Sequence, residues 1–185
     1  MKYNLREDFF IKLYFNTDNG FYYAGINRAF LDFSRTLKIK DENRANLKQN
    51  AEKFILIQLT KATQTEFSNQ TEFDNFHKIS CKKLRESWNE LSFGQAQKWI
   101  NMTLKYWLLL GNKRIKGIEK NAKYFHIPID SYVQKGMFPK IPLKPWSKIN
   151  DFKEYMNYQL QHRKIESGNC PMIDEFIFFN NYKPK

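Results

Sequence analysis

Apolar residues recur at helical spacing through most of this chain. The clearest stripe lies in residues 94–110, where Ala96, Ile100 and Leu104 share one face, and Gly111 then supplies a stop signal. No segment shows the sustained alternation of apolar and polar residues that is typical of a half-buried strand, and we find no internal repeat. The sequence therefore predicts an all-α fold.

Weaker apolar stripes predict further helices. They cover residues 21–37, 42–62, 72–90 and 147–163. A short helix is expected to begin at Tyr132 after a cap by Asp130 or Ser131. Residues 171–180 fit either a final helix or a strand, and the polar residues 63–71 form the clearest linker. With 185 residues, the chain (1–185) suits one domain, or two helical lobes that share a central cleft.

The chain is strongly basic, with 31 Lys and Arg against 19 Asp and Glu, a formal charge of +12. Such a field attracts polyanions, so DNA or RNA is the first expected partner and an anionic membrane the second. The alternative is that the charge serves solubility and reflects a general lysine bias. No apolar run approaches the ~20 residues of a membrane span, and the first residues lack the pattern of a signal peptide. We expect a cytoplasmic, nucleoid-associated monomer without a membrane partner.

Cysteine and histidine are sparse. The two cysteines have no CxxC spacing and the three histidines form no ligand pattern, so no metal and no small-molecule cofactor is expected. His126 is expected to be a packed loop histidine.

Residues 94–110 have a second face that core packing does not explain. Lys98, Asn101, Met102 and Lys105 follow at i, i+3, i+4 and i+7. Two solvated lysines on an amphipathic helix are the simplest explanation of this face. A second segment begins 29 positions after Lys98 and favours a functional explanation of this face over solvated lysines: Ile127-Pro128-Ile129-Asp130-Ser131-Tyr132-Val133.

This segment resembles a signature of the helix-hairpin-helix DNA glycosylases, which reads Pro, Val or Ile, Asp, Thr or Ser, any residue, Val. In that superfamily the chain is most similar to the archaeal 8-oxoguanine DNA glycosylases. There a Gln-Lys pair opens a helix, as Gln97-Lys98 does here, and an aspartate follows at a spacing like that of Asp130. The similarity covers about residues 91–133, and the glycine-rich hairpin of the superfamily is reduced to one glycine, Gly94.

The resemblance implies a helix-hairpin-helix fold, double-stranded DNA with a modified base as substrate, and Lys98 and Asp130 as catalytic residues. It also implies contacts to the extruded base from Gln97, Met102, Asp174 and Phe178. Gly94 and Ser131 are the DNA-contacting positions of the matched segments. From their charge or ring, we add Lys105, Lys113, Arg114, Lys116 and Trp146 as candidates for DNA contact. Each of these additions has ordinary surface or core packing as its alternative.

A lysine and an aspartate suit the cleavage of an N-glycosidic bond. The neutral amine can attack the sugar carbon, form a Schiff base and permit strand scission, while the carboxylate takes up a proton and stabilises positive charge. Burial beside Ile100 and Met102 favours the neutral amine. The sequence thus predicts a DNA glycosylase with AP-lyase activity on an 8-oxoguanine-like or other modified base. The alternatives are a non-catalytic helical nucleic-acid-binding protein, with a role in phage defence among its options, and, more weakly, a toxin-like ribonuclease.

Overall fold

A computed structural model describes residues 5–37, 43–165 and 168–181. Those residues form helices joined by turns and loops, with no strand among them, so the predicted all-α class is confirmed. The α-helices are α1 Leu5–Tyr14, α2 Gly20–Ser34, α3 Arg44–Gln64, α4 Gln70–Ser87, α5 Phe93–Leu110, α6 Ser131–Met137, α7 Phe152–His162 and α8 Pro171–Asn181. Two 3-10 segments, Ile118–Tyr124 and Trp146–Lys148, lie on either side of α6.

Helix α5 is the centre of the fold. It begins with a capping box, in which the Gln95 amide donates to Ser92 Oγ and the Ser92 amide donates to Gln95 Oε1, both at 3.0 Å. It ends at Gly111, whose φ of 74° suits a residue without a Cβ. Every residue from Phe93 to Trp107 is buried, because α2, α3, α4 and α7 pack around the helix.

Several predicted boundaries need correction. The helix predicted over 147–163 begins only at Phe152, because the Asp151 carboxylate accepts the Glu154 amide at 2.8 Å and caps it there. The helices predicted to reach residues 37 and 90 end at Ser34 and Ser87. Residues 171–180 are helical rather than extended. Helix α1 and the 3-10 segment after the basic loop were not predicted. The start predicted at residue 42 lies outside the described residues.

Aromatic side chains fill the centre of the core. Phe30 and Phe33 from α2 lie with ring centroids 5.1 and 5.2 Å from Trp99, and the Trp99 indole donates to the Ile26 carbonyl at 3.1 Å. Trp99 is therefore a core residue, because its one polar atom is already satisfied. In the part of the chain that the structure describes, no helix is both long and apolar enough to cross a membrane.

A buried polar chain crosses the core beside α5. His126 donates from Nε2 to Asp74 at 2.8 Å and accepts from the Tyr155 hydroxyl at Nδ1 at 2.9 Å. The Asn101 amide donates to Tyr155 Oη at 2.9 Å, and His77 Nε2 donates to Asn101 Oδ1 at 2.8 Å. His126 is 1% exposed, so the expectation of a packed loop histidine is confirmed.

Burial holds the pKa of both core histidines below the usual value. At His77 the neighbouring His126 adds to the effect, while at His126 the hydrogen bond to Asp74 opposes it. Burial raises the pKa of Asp74, but the hydrogen bonds from His126 and Arg163 outweigh it and leave the pKa below the usual range. At neutral pH the carboxylate is thus charged and the two imidazoles are neutral.

We predict that acid destabilises the fold before any carboxylate titrates. Below the unfolded-state histidine pKa of ~6.5, the unfolded chain binds protons that the buried neutral imidazoles do not, so the free energy of unfolding must fall. It should be about 1 to 3 kcal/mol smaller near pH 5.5 than near pH 7.5. Urea unfolding at both pH values measures this. His77→Gln keeps a donor for Asn101 and should reduce the difference in unfolding free energy between the two pH values. A wild type whose unfolding free energy does not depend on pH would contradict the prediction.

Candidate functional site

The chain ahead of α6 is extended and buried, yet none of the residues that the structure describes forms a strand beside it. Two glutamines supply the backbone partners that a neighbouring strand would give. Gln159 accepts from the Ile127 amide at 3.1 Å and donates to the Ile127 carbonyl at 2.9 Å. Gln97 accepts from the Ile129 amide at 3.2 Å and donates to the Ile129 carbonyl at 2.9 Å. Together they clamp the segment on both sides of Pro128, which has no amide hydrogen to satisfy.

This clamp fixes Asp130 at the first turn of α6. One carboxylate oxygen, Oδ1, accepts a hydrogen bond from the Val133 amide at 2.9 Å and caps the helix. Asp130 is thus the cap, of the two residues that the sequence offered for that role. The other oxygen, Oδ2, lies 2.6 Å from Lys98 Nζ. The two residues that the sequence placed together by resemblance therefore form a direct ion pair.

The ion pair is shielded from water on the lysine side. The Lys98 side chain is 5% exposed and the Asp130 side chain 24%. Burial raises the pKa of Asp130, but Lys98 and the amides of Val133 and Tyr132 outweigh it and hold the pKa below the usual value. At neutral pH Asp130 is thus a carboxylate, and its Oδ2 lies within hydrogen-bond distance of Lys98 Nζ.

Both groups line a cavity of about 710 Å³. Its walls come from α1, α2, α5, α6 and α8, and Trp146 of the second 3-10 segment completes them. The volume lies within the usual range for sites that enclose a small molecule or a nucleotide. A buried amine, a carboxylate and a half-open cavity beside them are the components that a nucleophilic site requires.

A second ion pair lies in the same cavity, two turns further along α5. Both carboxylate oxygens of Glu175 lie 2.6 Å from Lys105 Nζ. The Lys105 ammonium also lies 5.3 and 5.4 Å from the ring centroids of Phe176 and Phe179 on α8. Lys105 is therefore a cavity residue that is 9% exposed, rather than an outward contact for a DNA phosphate.

Of the four residues predicted to contact a base, Met102 lines the cavity. Gln97 does not, because its amide is fully used by Gly94, Ile129 and Asn101. Asp174 accepts from His162 at 2.9 Å, and Phe178 packs against Gly136, where a Cβ would meet its ring at 2.0 Å. Glu175 and Phe179 occupy the cavity wall instead, one residue further along α8.

The residues predicted to contact DNA fall into three groups, which lie in the cavity, at the surface or in contacts within the protein. Ser131 and Trp146 line the cavity, and Lys113 and Lys116 are exposed. The Gly94 amide donates to the Ile149 carbonyl at 2.8 Å and so does not face a phosphate. Arg114 binds Glu7 and Asp8 of α1 at 2.7 and 2.8 Å, which neutralises its charge.

Sequence reasoning also missed cavity and clamp residues. Glu175, Phe179, Arg28 and Gln159 gave no motif, yet a helical register for residues 171–181 places Met172, Glu175 and Phe179 on one face. Among the residues that the structure describes, no three His, Cys, Asp or Glu side chains are grouped as metal ligands. No family model, no curated protein and no solved structure matches the chain. The resemblance of residues 91–133 therefore stays a hypothesis.

We predict that the glutamine clamp stabilises the fold. Gln97→Met keeps the side-chain volume but leaves the buried amide and carbonyl of Ile129 without partners, which costs about 2 to 4 kcal/mol. Gln134→Met is the matched control: Gln134 is also buried, but it makes one hydrogen bond, to Tyr158 at 2.8 Å. Its loss should cost about 1 kcal/mol or less. Equal destabilisation of the two variants in urea unfolding would refute the assignment.

Proposed function

We propose that this protein is a DNA glycosylase with AP-lyase activity, which flips out a modified base and excises it through a Schiff base on Lys98. The observation that carries the proposal is the contact of 2.6 Å between the buried Lys98 Nζ and Asp130 Oδ2 at the wall of a half-open cavity. The formal charge of +12 supports a polyanionic substrate.

The chemistry follows from the two groups. Asp130 takes a proton from the Lys98 ammonium, and the neutral amine attacks C1′ of the deoxyribose. The Nζ–C1′ bond forms as the N-glycosidic bond breaks, and the base leaves with the bonding electron pair and takes up the proton that Asp130 holds. The C1′–O4′ bond then breaks, its electron pair and one proton of the attached nitrogen pass to O4′, and the iminium remains between Nζ and C1′. Removal of a 2′ proton expels the 3′ phosphate by β-elimination, and water releases the lysine.

The second ion pair gives the cavity a way to hold a base. Lys105 offers donors and Glu175 offers acceptors, so together they can meet the polar edge of an extruded oxidised base such as 8-oxoguanine. Met102, Phe176 and Phe179 provide apolar and aromatic surface beside the pair. Other modified bases with a donor and an acceptor on one edge satisfy the same contacts.

The order of helices is compatible with a helix-hairpin-helix arrangement. Helices α4 and α5 are joined by residues 88–92, and Lys98 lies in the second turn of α5. The Gly94 amide is bonded to Ile149, so a hairpin in this protein would use other groups to contact a phosphate. We therefore propose the superfamily on the strength of the Lys98 and Asp130 placement and the joined helices.

Borohydride trapping tests the proposal. With duplexes that carry different single lesions, reduction should yield a covalent protein–DNA adduct, and Lys98→Gln should abolish it. Asp130→Asn keeps the acceptor for Val133 but loses the base, so the rate of strand cleavage should fall by about 10²- to 10⁴-fold.

Lys83→Gln is the charge-matched control, because Lys83 is exposed on α4 and lies outside the cavity. It should trap like the wild type. An adduct that persists in Lys98→Gln would show that Lys98 is not the nucleophile. A wild type that binds every duplex and traps none would instead indicate a non-catalytic nucleic-acid-binding protein.

A further inference from the structure

The cavity has a further polar wall that the proposed reaction does not use. Helix α2 contributes Arg28 and Asp32, and Arg35 directly follows it, so that the three share one face at i, i+4 and i+7. The Tyr106 hydroxyl donates to Asp32 Oδ2 at 2.6 Å, and the Tyr14 hydroxyl lies 3.3 Å from that of Tyr106. Burial and the neighbouring Asp32 raise the pKa of Tyr106, so this hydroxyl stays protonated as a donor.

Arg28 lies over an aromatic ring at this wall. Its guanidinium carbon lies 4.1 Å from the centroid of the Tyr14 ring, a cation–π contact that holds the group beside the cavity. The Nε atom is buried and has no hydrogen-bond partner. The only hydrogen bond that reaches the neighbouring carboxylate of Asp32 in the described residues comes from Tyr106.

The charges in the cavity do not balance. Four basic side chains and three acidic ones line it. Lys98 pairs with Asp130 and Lys105 pairs with Glu175, whereas neither Arg28 nor Arg35 forms an ion pair with any residue that the structure describes. A partly buried cation without a counter-ion is unfavourable, so this wall favours an anion over a neutral base edge.

We propose that Arg28, with Arg35 at the rim, binds a phosphate of the DNA strand that carries the extruded nucleotide. This subsite rests on the proposed function, because that function brings the strand to the cavity. A planar guanidinium offers two parallel N–H donors that match two phosphate oxygens, and its charge matches theirs. Lys105 and Glu175 already offer the donor and acceptor that a base requires, which leaves the arginines for the backbone.

A methylphosphonate scan tests this subsite. The probe is a duplex with a tetrahydrofuran abasic analogue, in which one phosphate at a time near the analogue is replaced by a neutral methylphosphonate. For the wild type, the Kd should rise by roughly 10-fold or more at one position. Arg28→Gln should weaken binding of the unmodified duplex by a similar factor and remove the sensitivity at that same position. Arg28→Lys, which keeps charge without the planar fork, should fall between the two.

Lys83→Gln is again the control, since it removes one charge outside the cavity. Its effect should add to that of every methylphosphonate, as expected for independent sites. If Arg28→Gln is also additive at every position, or if it binds like the wild type, the subsite is overturned. A changed preference between guanine-derived and pyrimidine-derived lesions, with the phosphate pattern unchanged, overturns it as well, because Arg28 then contacts the base.

Trapping on the same proteins separates the phosphate subsite from the proposed function. If an adduct is trapped but the effects of Arg28→Gln and of every methylphosphonate are additive, only the phosphate subsite is overturned. If the two effects are non-additive at one position but no adduct is trapped, the subsite stands and the glycosylase is overturned. A wild type that binds no duplex overturns both. Urea unfolding of Arg28→Gln and Arg28→Lys shows whether either loss of binding reflects a loss of folding.

Discussion

The hydrogen bonds of Gln97 and Gln159 to the buried segment ahead of α6 are the interaction on which the rest of the site depends. A buried extended chain must satisfy its amides and carbonyls, and in an all-α fold it has no strand to pair with. Here two side-chain amides do so, one on Ile127 and one on Ile129. Because Gln97 directly precedes Lys98, the same helical turn that positions the lysine also positions the carboxylate.

Burial of charge determines the protonation state of the site. An isolated ammonium inside a protein is strongly unfavourable, so Lys98 can be buried only because Asp130 lies against it. Asp130 in turn keeps its negative charge because Lys98 lies beside it and, to a smaller extent, because the amides of Val133 and Tyr132 point at its carboxylate. Under the proposed function, a bound substrate must favour the neutral amine of Lys98, and the desolvation expected when DNA closes over the cavity acts in that direction.

The sequence predicted those parts of the fold that depend on residues close together in the chain, such as helical spacing and capping residues. Helical spacing yielded the all-α class, and α5 was placed to within a residue of its observed start because Ser92, Gln95 and Gly111 are local signals. The short segment around Asp130 led to its ion pair with Lys98. In contrast, the apolar residues of helix α1 are spread around the helix, and none of them is buried, so no single face of it pointed to the core. It is held by Arg114, a residue about a hundred positions away.

The positions of Asp174 and Glu175 show how strongly the surroundings of a helical residue depend on register. One residue along a helix is a rotation of about 100°, so Asp174 and Glu175 face different surroundings. The spacing from Asp130 suggested Asp174 as a base contact. In the structure it is Glu175 that lies at the cavity, where its side chain packs beside Lys105 and the residue is 3% exposed. Both ion pairs then project from one face of α5, two turns apart. Helix α5 thereby sets the distance between the proposed nucleophile and the groups proposed to hold the base, and the walls formed by α2 and α8 limit what fits between them.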